Sequence, residues 1–212
     1  MASRFPQANT PPPGGPMPWQ EYLALEQQYP YARYEYLNGI ARLMAGGRAA
    51  HDRIAFNMRV AIDLHFTSGP CSTFGENMKV LVGEKANGAE DRLIPDVTVS
   101  CDVDDRRPDN KLVRSPRIVV EVMSPSSEAD DRGDKLRAYK ACEHIQEIVL
   151  ISQFAQHVEL YRRLNENEEE WTGPLFFGPG ESFTLESVDV KIAVVDIYRR
   201  VDLAEWKNEE EA

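Results

Sequence analysis

The stretch Arg117-Ile-Val-Val-Glu-Val-Met123 sets the tightest limit on what this chain can become. Five apolar residues, mostly β-branched, read as a strand, and Glu121 stands in the middle of them. Desolvation disfavours a charged carboxylate there, so it must either take up a proton or be held by a partner. Asp96 poses the same problem in Leu93-Ile-Pro-Asp-Val-Thr-Val99. Two such carboxylates on separate strands, followed by Lys135 on what reads as the next helix, point to a metal site.

The chain has 212 residues, of which 42% are apolar, enough for one well-filled domain. Residues 18–200 are expected to form it. Residues 1–17 hold five prolines and two glycines and read as a disordered leader, and residues 201–212 as an acidic tail. No apolar run of about eighteen residues occurs and no apolar segment opens the chain, so a cytoplasmic protein without a membrane partner is expected. Cys71, Cys101 and Cys142 are odd in number and far apart, which favours free buried thiols. The net charge of −11 disfavours a nucleic-acid partner. However, residues 164–170 and 201–212 together carry −8 of it, which leaves −3 for the rest of the chain.

Pro18 opens a short helix carrying Trp19, Tyr22, Leu23 and Glu26, which Pro30 ends. Asn38-Gly39 between Arg33–Leu37 and Ile40–Ala45 is the dipeptide best suited to a two-residue hairpin turn. From His51, the stripe Ile54, Met58, Ile62 and Phe66 predicts a core-packing helix that ends at Ser68-Gly69-Pro70. Strands are expected near 71–74, 78–82, 93–100, 118–123, 147–151 and 158–162, with a helix over 130–143 and a tight turn near Gln153. A further strand near Phe183, a mixed run over 190–195 and a short terminal helix complete the pattern. The class is α/β or α+β: a mixed sheet flanked by helices, with an N-terminal helix and β-hairpin.

Phosphodiester hydrolysis needs an activated water, neutralisation of charge on the phosphate and help for the leaving group, all of which carboxylate-held Mg²⁺ can supply. Mg²⁺ or Mn²⁺ prefers hard oxygens, and Asp96, Glu121 and the backbone carbonyl of Val122 suit it. Lys135, the first lysine after Glu121, could orient the water or stabilise the transition state.

Pro95-Asp96, Glu121 inside an apolar strand, Ser124-Pro125-Ser126-Ser127, Asp131, Lys135 and Tyr139 together resemble the PD-(D/E)XK nuclease superfamily, and more narrowly its Uma-type branch of restriction endonucleases. The resemblance runs from about Trp19 to Ile197 and includes Tyr34-Glu35 before Gly39, and His51. It implies a restriction-endonuclease-like fold with Asp96 and Glu121 as metal ligands and Glu35 completing the acidic cluster. It also implies Lys135 as the catalytic lysine and His51 near phosphate or a metal-bound water. Met123 stands where the parent pattern has its lysine, and Gln146-Glu147-Ile148-Val149 replaces an aromatic-rich strand start. The Uma-type branch carries the lysine on the following helix, which makes Met123 compatible with it.

Each residue also has a plainer reading. Asp96 could be a turn residue and Glu121 a partner of Arg117. Lys135 could form an exposed helical pair with Asp131, Glu35 could face Arg42 across the hairpin, and His51 could cap its helix. Tyr139 reads best as a core residue. The function expected first is Mg²⁺-dependent cleavage of DNA by a homo-oligomer, most simply a dimer. Its cations at Arg106, Arg107, Lys111, Arg114 and Arg117 form a candidate DNA-facing loop. The rival is a catalytically silent nuclease-like fold serving as a nucleic-acid-binding or oligomeric scaffold.

Overall fold

Asn38 and Gly39 both take positive φ, 52° and 81°, and turn β2 (Tyr34–Leu37) back into β3 (Ile40–Leu43) as the sequence predicts. This hairpin belongs to a computed structural model that describes residues 12–44, 46–124, 127–165 and 170–203. Against its outer strand lies β1 (Gly14–Pro16), paired antiparallel with β3. Residues 14–16 of the expected disordered leader are therefore an ordered strand. Gly14 permits the pairing: its φ is +91°, and any Cβ there would collide with the Ala41 carbonyl. The leader up to residue 11, Ala45, the Pro125-Ser126 pair, residues 166–169 and the tail from 204 lie outside the described residues.

The expected mixed sheet is divided in two. The first sheet has the order β1-β3-β2-β6-β5-β8 and adds β5 (Lys79–Glu84), β6 (Glu90–Leu93) and β8 (Leu112–Val113). The second has the order β12-β11-β10-β9-β7-β4. It comprises β4 (Ser72–Gly75), β7 (Val97–Ser100), β9 (Pro116–Met123), β10 (Glu147–Ser152), β11 (Val158–Arg162) and β12 (Leu175–Phe177). A small pair, β13 (Ser182–Leu185) and β14 (Val190–Ala193), stands apart from both. The stretch 93–100, which reads as one strand, instead passes from one sheet to the other. Pro95 has no N–H to continue a ladder, so β6 ends at Leu93 and β7 begins at Val97. Asp96 sits at that crossing.

Period-2 alternation along β9 divides its side chains between two cores. Ile118, Val120 and Val122 join one core with α2 (Ala49–Asp63) and α5 (Val194–Ile197), where Ile54, Met58 and Ile62 are fully buried. Val119 and Met123 join the other, which fills the space between the two sheets with Leu37, Val80 and Leu93. Glu121 shares the parity of Val119 and Met123, so alternation turns it toward the first sheet. The parallel pair β9 and β10 is bridged by a helical crossover: a short α3 (Glu128–Asp130), a widened π-type turn (Asp131–Lys135) kinked at Gly133, and α4 (Leu136–Ala141). The predicted continuous helix over 130–143 is thus interrupted. Trp19, Tyr22, Tyr34 and Tyr36 pack α1 (Trp19–Gln28) against the hairpin, with Trp19 and Tyr22 stacked at 5.3 Å. Among the described residues no helix is long and apolar enough to cross a membrane.

The cysteines depart from expectation. Cys71 and Cys101 form a disulfide, and Cys142 alone is free and buried. Register explains it: β4 and β7 pair Ser72 with Ser100, which sets the two neighbouring cysteines opposite each other, although 30 residues separate them in sequence. Alkylating the denatured, unreduced protein should label Cys142 only, and Cys71→Ser should lower the unfolding free energy by about 4 kcal/mol, the loop-closure expectation for a separation of 30 residues. Labelling of all three thiols would contradict the bond.

Candidate functional site

Four elements meet between the two sheets, and each brings one charged side chain. Glu35 comes from β2, Asp96 from the crossing between sheets, Glu121 from β9 and Lys135 from the kinked crossover. All four of these residues line one cavity of about 480 Å³, together with His51 and Val122. Lys135 is only 4% exposed, so the exposed-pair reading of this lysine fails. Its Nζ lies 2.9 Å from Glu35 Oε1, 3.2 Å from Glu121 Oε1 and 3.4 Å from Asp131 Oδ1. The π-type turn buries both Asp131 and Lys135, which a regular exposed helix face would not.

The plain readings of Glu35 and Glu121 fail on geometry as well. Glu35 does face Arg42 in the hairpin register, yet its Oε1 binds Lys135 and accepts from Ile94 N at 3.0 Å, while Arg42 pairs with Asp130. Arg117 donates to the Ser187 carbonyl and leaves Glu121 to others. Tyr139 OH donates to Glu121 Oε1 at 2.5 Å, so this residue serves the site as well as the core. Asp96 is held at both oxygens, by His51 Nε2 at 2.8 Å and by the Val122 backbone N–H at 2.6 Å. An extended residue presents its N–H and C=O to the same neighbouring strand, so the Val122 carbonyl emerges on the Asp96 side of β9.

The electrostatics are unbalanced. Six carboxyl groups line the cavity: Glu76 and Asp130 pair with Arg33 and Arg42, which leaves Glu35, Asp96, Glu121 and Asp131 around one buried ammonium. Burial pushes the Glu121 carboxyl well above its usual range, opposed by Lys135, and does the same more mildly to Asp131. Burial alone would lower Lys135, but Glu121, Glu35 and Asp131 outweigh it and keep the ammonium firmly protonated. His51 behaves alike: burial lowers it, while the Asp96 hydrogen bond and charge raise it overall. This is an environment that favours added positive charge.

The donor set suits a hard divalent cation: carboxylate oxygens, one backbone carbonyl, and a Glu121 Oε2 without a partner among the described residues. Among those residues, however, no three His, Cys, Asp or Glu side chains are already arranged to hold a metal. Lys135 accounts for this, since its Nζ stands between Glu35, Glu121 and Asp131 and fills the space on which they converge.

Sequence reasoning passed over several lining residues: Asp131, Gln153, Arg33, Arg42 and Arg48. Asp131 is legible as a helical neighbour of Lys135, four residues away, and as one of the residues that carry the family resemblance, but neither gave it a role in the site. Gln153 and the arginines carry no local signal, because the strand order alone brings them to the cavity. The proposed DNA-facing loop, by contrast, contributes nothing to the lining. Buried Asp105 pins it through Ser100 Oγ and the N–H groups of Arg114 and Ser115, while Arg106 and Arg107 are spent on Gly69 O and Asp104.

Residues 19–204 match the family Uma2, described as "Putative restriction endonuclease". An uncharacterized protein of Synechocystis sp., slr1290, is 30% identical over 190 residues, covering 88% of this chain and 95% of its own length. A second from that organism, sll1609, is 29% identical over 150 residues, covering 70% and 81%. The crystal structure of a "putative nuclease belonging to DUF820" from Anabaena variabilis superposes with a TM-score of 0.67 at 18% identity, over 87% of this chain and 98% of that one. The last similarity establishes the shared fold.

The raised Glu121, Asp131 and His51 values give stability a definite pH dependence. A group raised on folding contributes stability fully present below its unfolded pKa and lost as pH rises through its folded value. Without divalent cation, thermal stability should therefore fall as pH rises above the ordinary carboxylate range, from about pH 4 upward. Glu121→Gln should flatten that slope, gaining about 3 °C or more over wild type at the upper end. Equal slopes for both proteins in EDTA would contradict the electrostatic assignment.

Proposed function

The chain belongs to the Uma2 family, described as "Putative restriction endonuclease", and on that premise we propose that it is a metal-dependent nuclease hydrolysing phosphodiester bonds of DNA. The observation that carries this reading is the convergence of Glu35, Asp96, Glu121 and Lys135 in one cavity, which three arginines also line. Asp96, Glu121 and the Val122 carbonyl would hold Mg²⁺ or Mn²⁺. Such a cation, when bound, offsets charge on the phosphoryl group and eases deprotonation of water.

The protein's own side chains have distinct tasks. His51 and the Val122 N–H fix the orientation of Asp96. Glu35 and Asp131 position Lys135, whose ammonium stabilises the charge that builds on the phosphate oxygens as water attacks phosphorus and the P–O bond to the leaving sugar oxygen breaks. His51, whose imidazole pKa is raised overall by its hydrogen bond to Asp96, is the nearby group able to supply a proton to that departing oxygen. Arg33 and Arg42 are bound only by half-exposed pairs with Glu76 and Asp130, at 3.0 and 3.4 Å. Pairs of that kind are weak, so flanking backbone phosphates can take their place, and Arg48 lines the same cavity. A local rim of arginine therefore offsets the overall acidity of −11. Cutting both strands of a duplex is simplest for a symmetric homodimer. The work would be cytoplasmic, a compartment in which a disulfide such as Cys71–Cys101 is uncommon.

One observation favours the rival, a silent nucleic-acid-binding fold: Lys135 already fills the place between the carboxylates. Cleavage separates the two. Duplex DNA with Mg²⁺ should be cut by wild type, and Asp96→Ala, Glu121→Ala and Lys135→Ala should each lower the rate by about 100-fold or more. DNA bound but left intact by wild type would establish the silent fold. Equal cleavage by all four proteins would mark a contaminant and refute the site.

A further inference from the structure

Three buried side-chain polar atoms among the described residues have no hydrogen-bond partner: Asp131 Oδ1 and both amide atoms of Gln153. Both residues line the same cavity. Buried polar groups without partners are rare in folded proteins, and each one costs stability. Asp131 Oδ1 at least has the Lys135 charge 3.4 Å away. Gln153 has neither an ion pair nor a hydrogen bond for its amide, although it is only 1% exposed.

The backbone holds this residue where the chemistry is. Gln153 follows β10 directly, and its N–H donates to the Met123 carbonyl, extending the ladder that pairs Ser152 with Met123. It therefore lies at the end of the parallel β9–β10 pair where Glu121, Val122 and Ser124 border the cavity. A glutamine amide is neutral and offers both a donor and an acceptor, which suits a ligand with anionic oxygens and a water beside it.

We propose that Gln153 is a substrate-binding residue of this site: its Nε2–H donates to a non-bridging oxygen of the bound phosphodiester, and its Oε1 accepts from a water beside that phosphate. The assignment rests on the phosphodiesterase reading and adds a contact to it. A structural role is disfavoured because the amide ties Gln153 to no other residue. The side chain thus stays destabilising until substrate arrives, a compromise between stability and function of a kind common in binding sites.

The test measures anisotropy of a fluorescent duplex oligonucleotide in Ca²⁺, with thermal melts of each protein without DNA. Gln153→Met should bind about tenfold more weakly, as expected for one hydrogen bond to a charged acceptor, and should melt no lower than wild type. Gln153→Glu, nearly isosteric but placing a carboxylate against phosphate, should bind at least as weakly as Gln153→Met. Either variant binding within twofold of wild type would overturn the assignment, and so would a loss of binding that tracks a fall in melting temperature in both. Failure of wild type itself to bind the oligonucleotide would instead overturn the phosphodiesterase reading, and this inference with it.

Discussion

One buried ammonium, Lys135, is the point on which the two sheets and the helical crossover depend. Glu35 reaches it from the first sheet, Glu121 from the second and Asp131 from the turn just before it, all within 3.4 Å. Removing one partner from a buried ion pair typically costs about 3–5 kcal/mol, because the charge left behind is desolvated and unpaired. The relative placement of β2, β9 and the crossover is therefore electrostatically constrained as well as packed. The kink at Gly133 follows from the same demand, since it lets Asp131 and Lys135 both turn inward.

The balance of charge that organises this region also gives it chemistry. Glu35, Asp96, Glu121 and Asp131 face a cavity in which Lys135 is the sole buried ammonium among the described residues. Burial raises Glu121 and Asp131 because the ammonium cannot satisfy them all. A divalent cation and a phosphodiester would complete the set, the first meeting the carboxylates and the second meeting lysine, arginine and the idle amide of Gln153. The protein's acidic character is compatible with such a substrate, because the groups that would meet it are local.

Much of the site was legible in the sequence, and for a physical reason. A carboxylate inside Ile118-Val-Val-Glu-Val-Met123 stands out because apolar surroundings make charge expensive, and Asp96 and Glu35 gain meaning beside it. Asn38-Gly39 and the stripe Ile54, Met58 and Ile62 are equally local signals; the hairpin formed as read, while the helix ends at Asp63, before Phe66 and the expected stop at Ser68. What escaped depends on non-local register. The Cys71–Cys101 bond follows from the pairing of β4 with β7, and Gln153 reaches the cavity through the parallel order of β9 and β10. The split of 93–100 between sheets turns on Pro95, whose missing N–H was visible but whose consequence required knowing that two sheets exist. The loop from Arg106 to Arg117 lies outside the cavity lining, and the buried Asp105 that organises it carries no signal in the sequence.

The central claim is that Lys135 holds the position of a cation among carboxylates built to receive one. Calorimetric titration of Mn²⁺ into wild type and Lys135→Met tests it most directly. The account predicts one ion bound per wild-type chain and binding at least as tight in Lys135→Met, where the competing ammonium is gone. Loss of Mn²⁺ binding in Lys135→Met, with the variant folded, or no binding to wild type would contradict it.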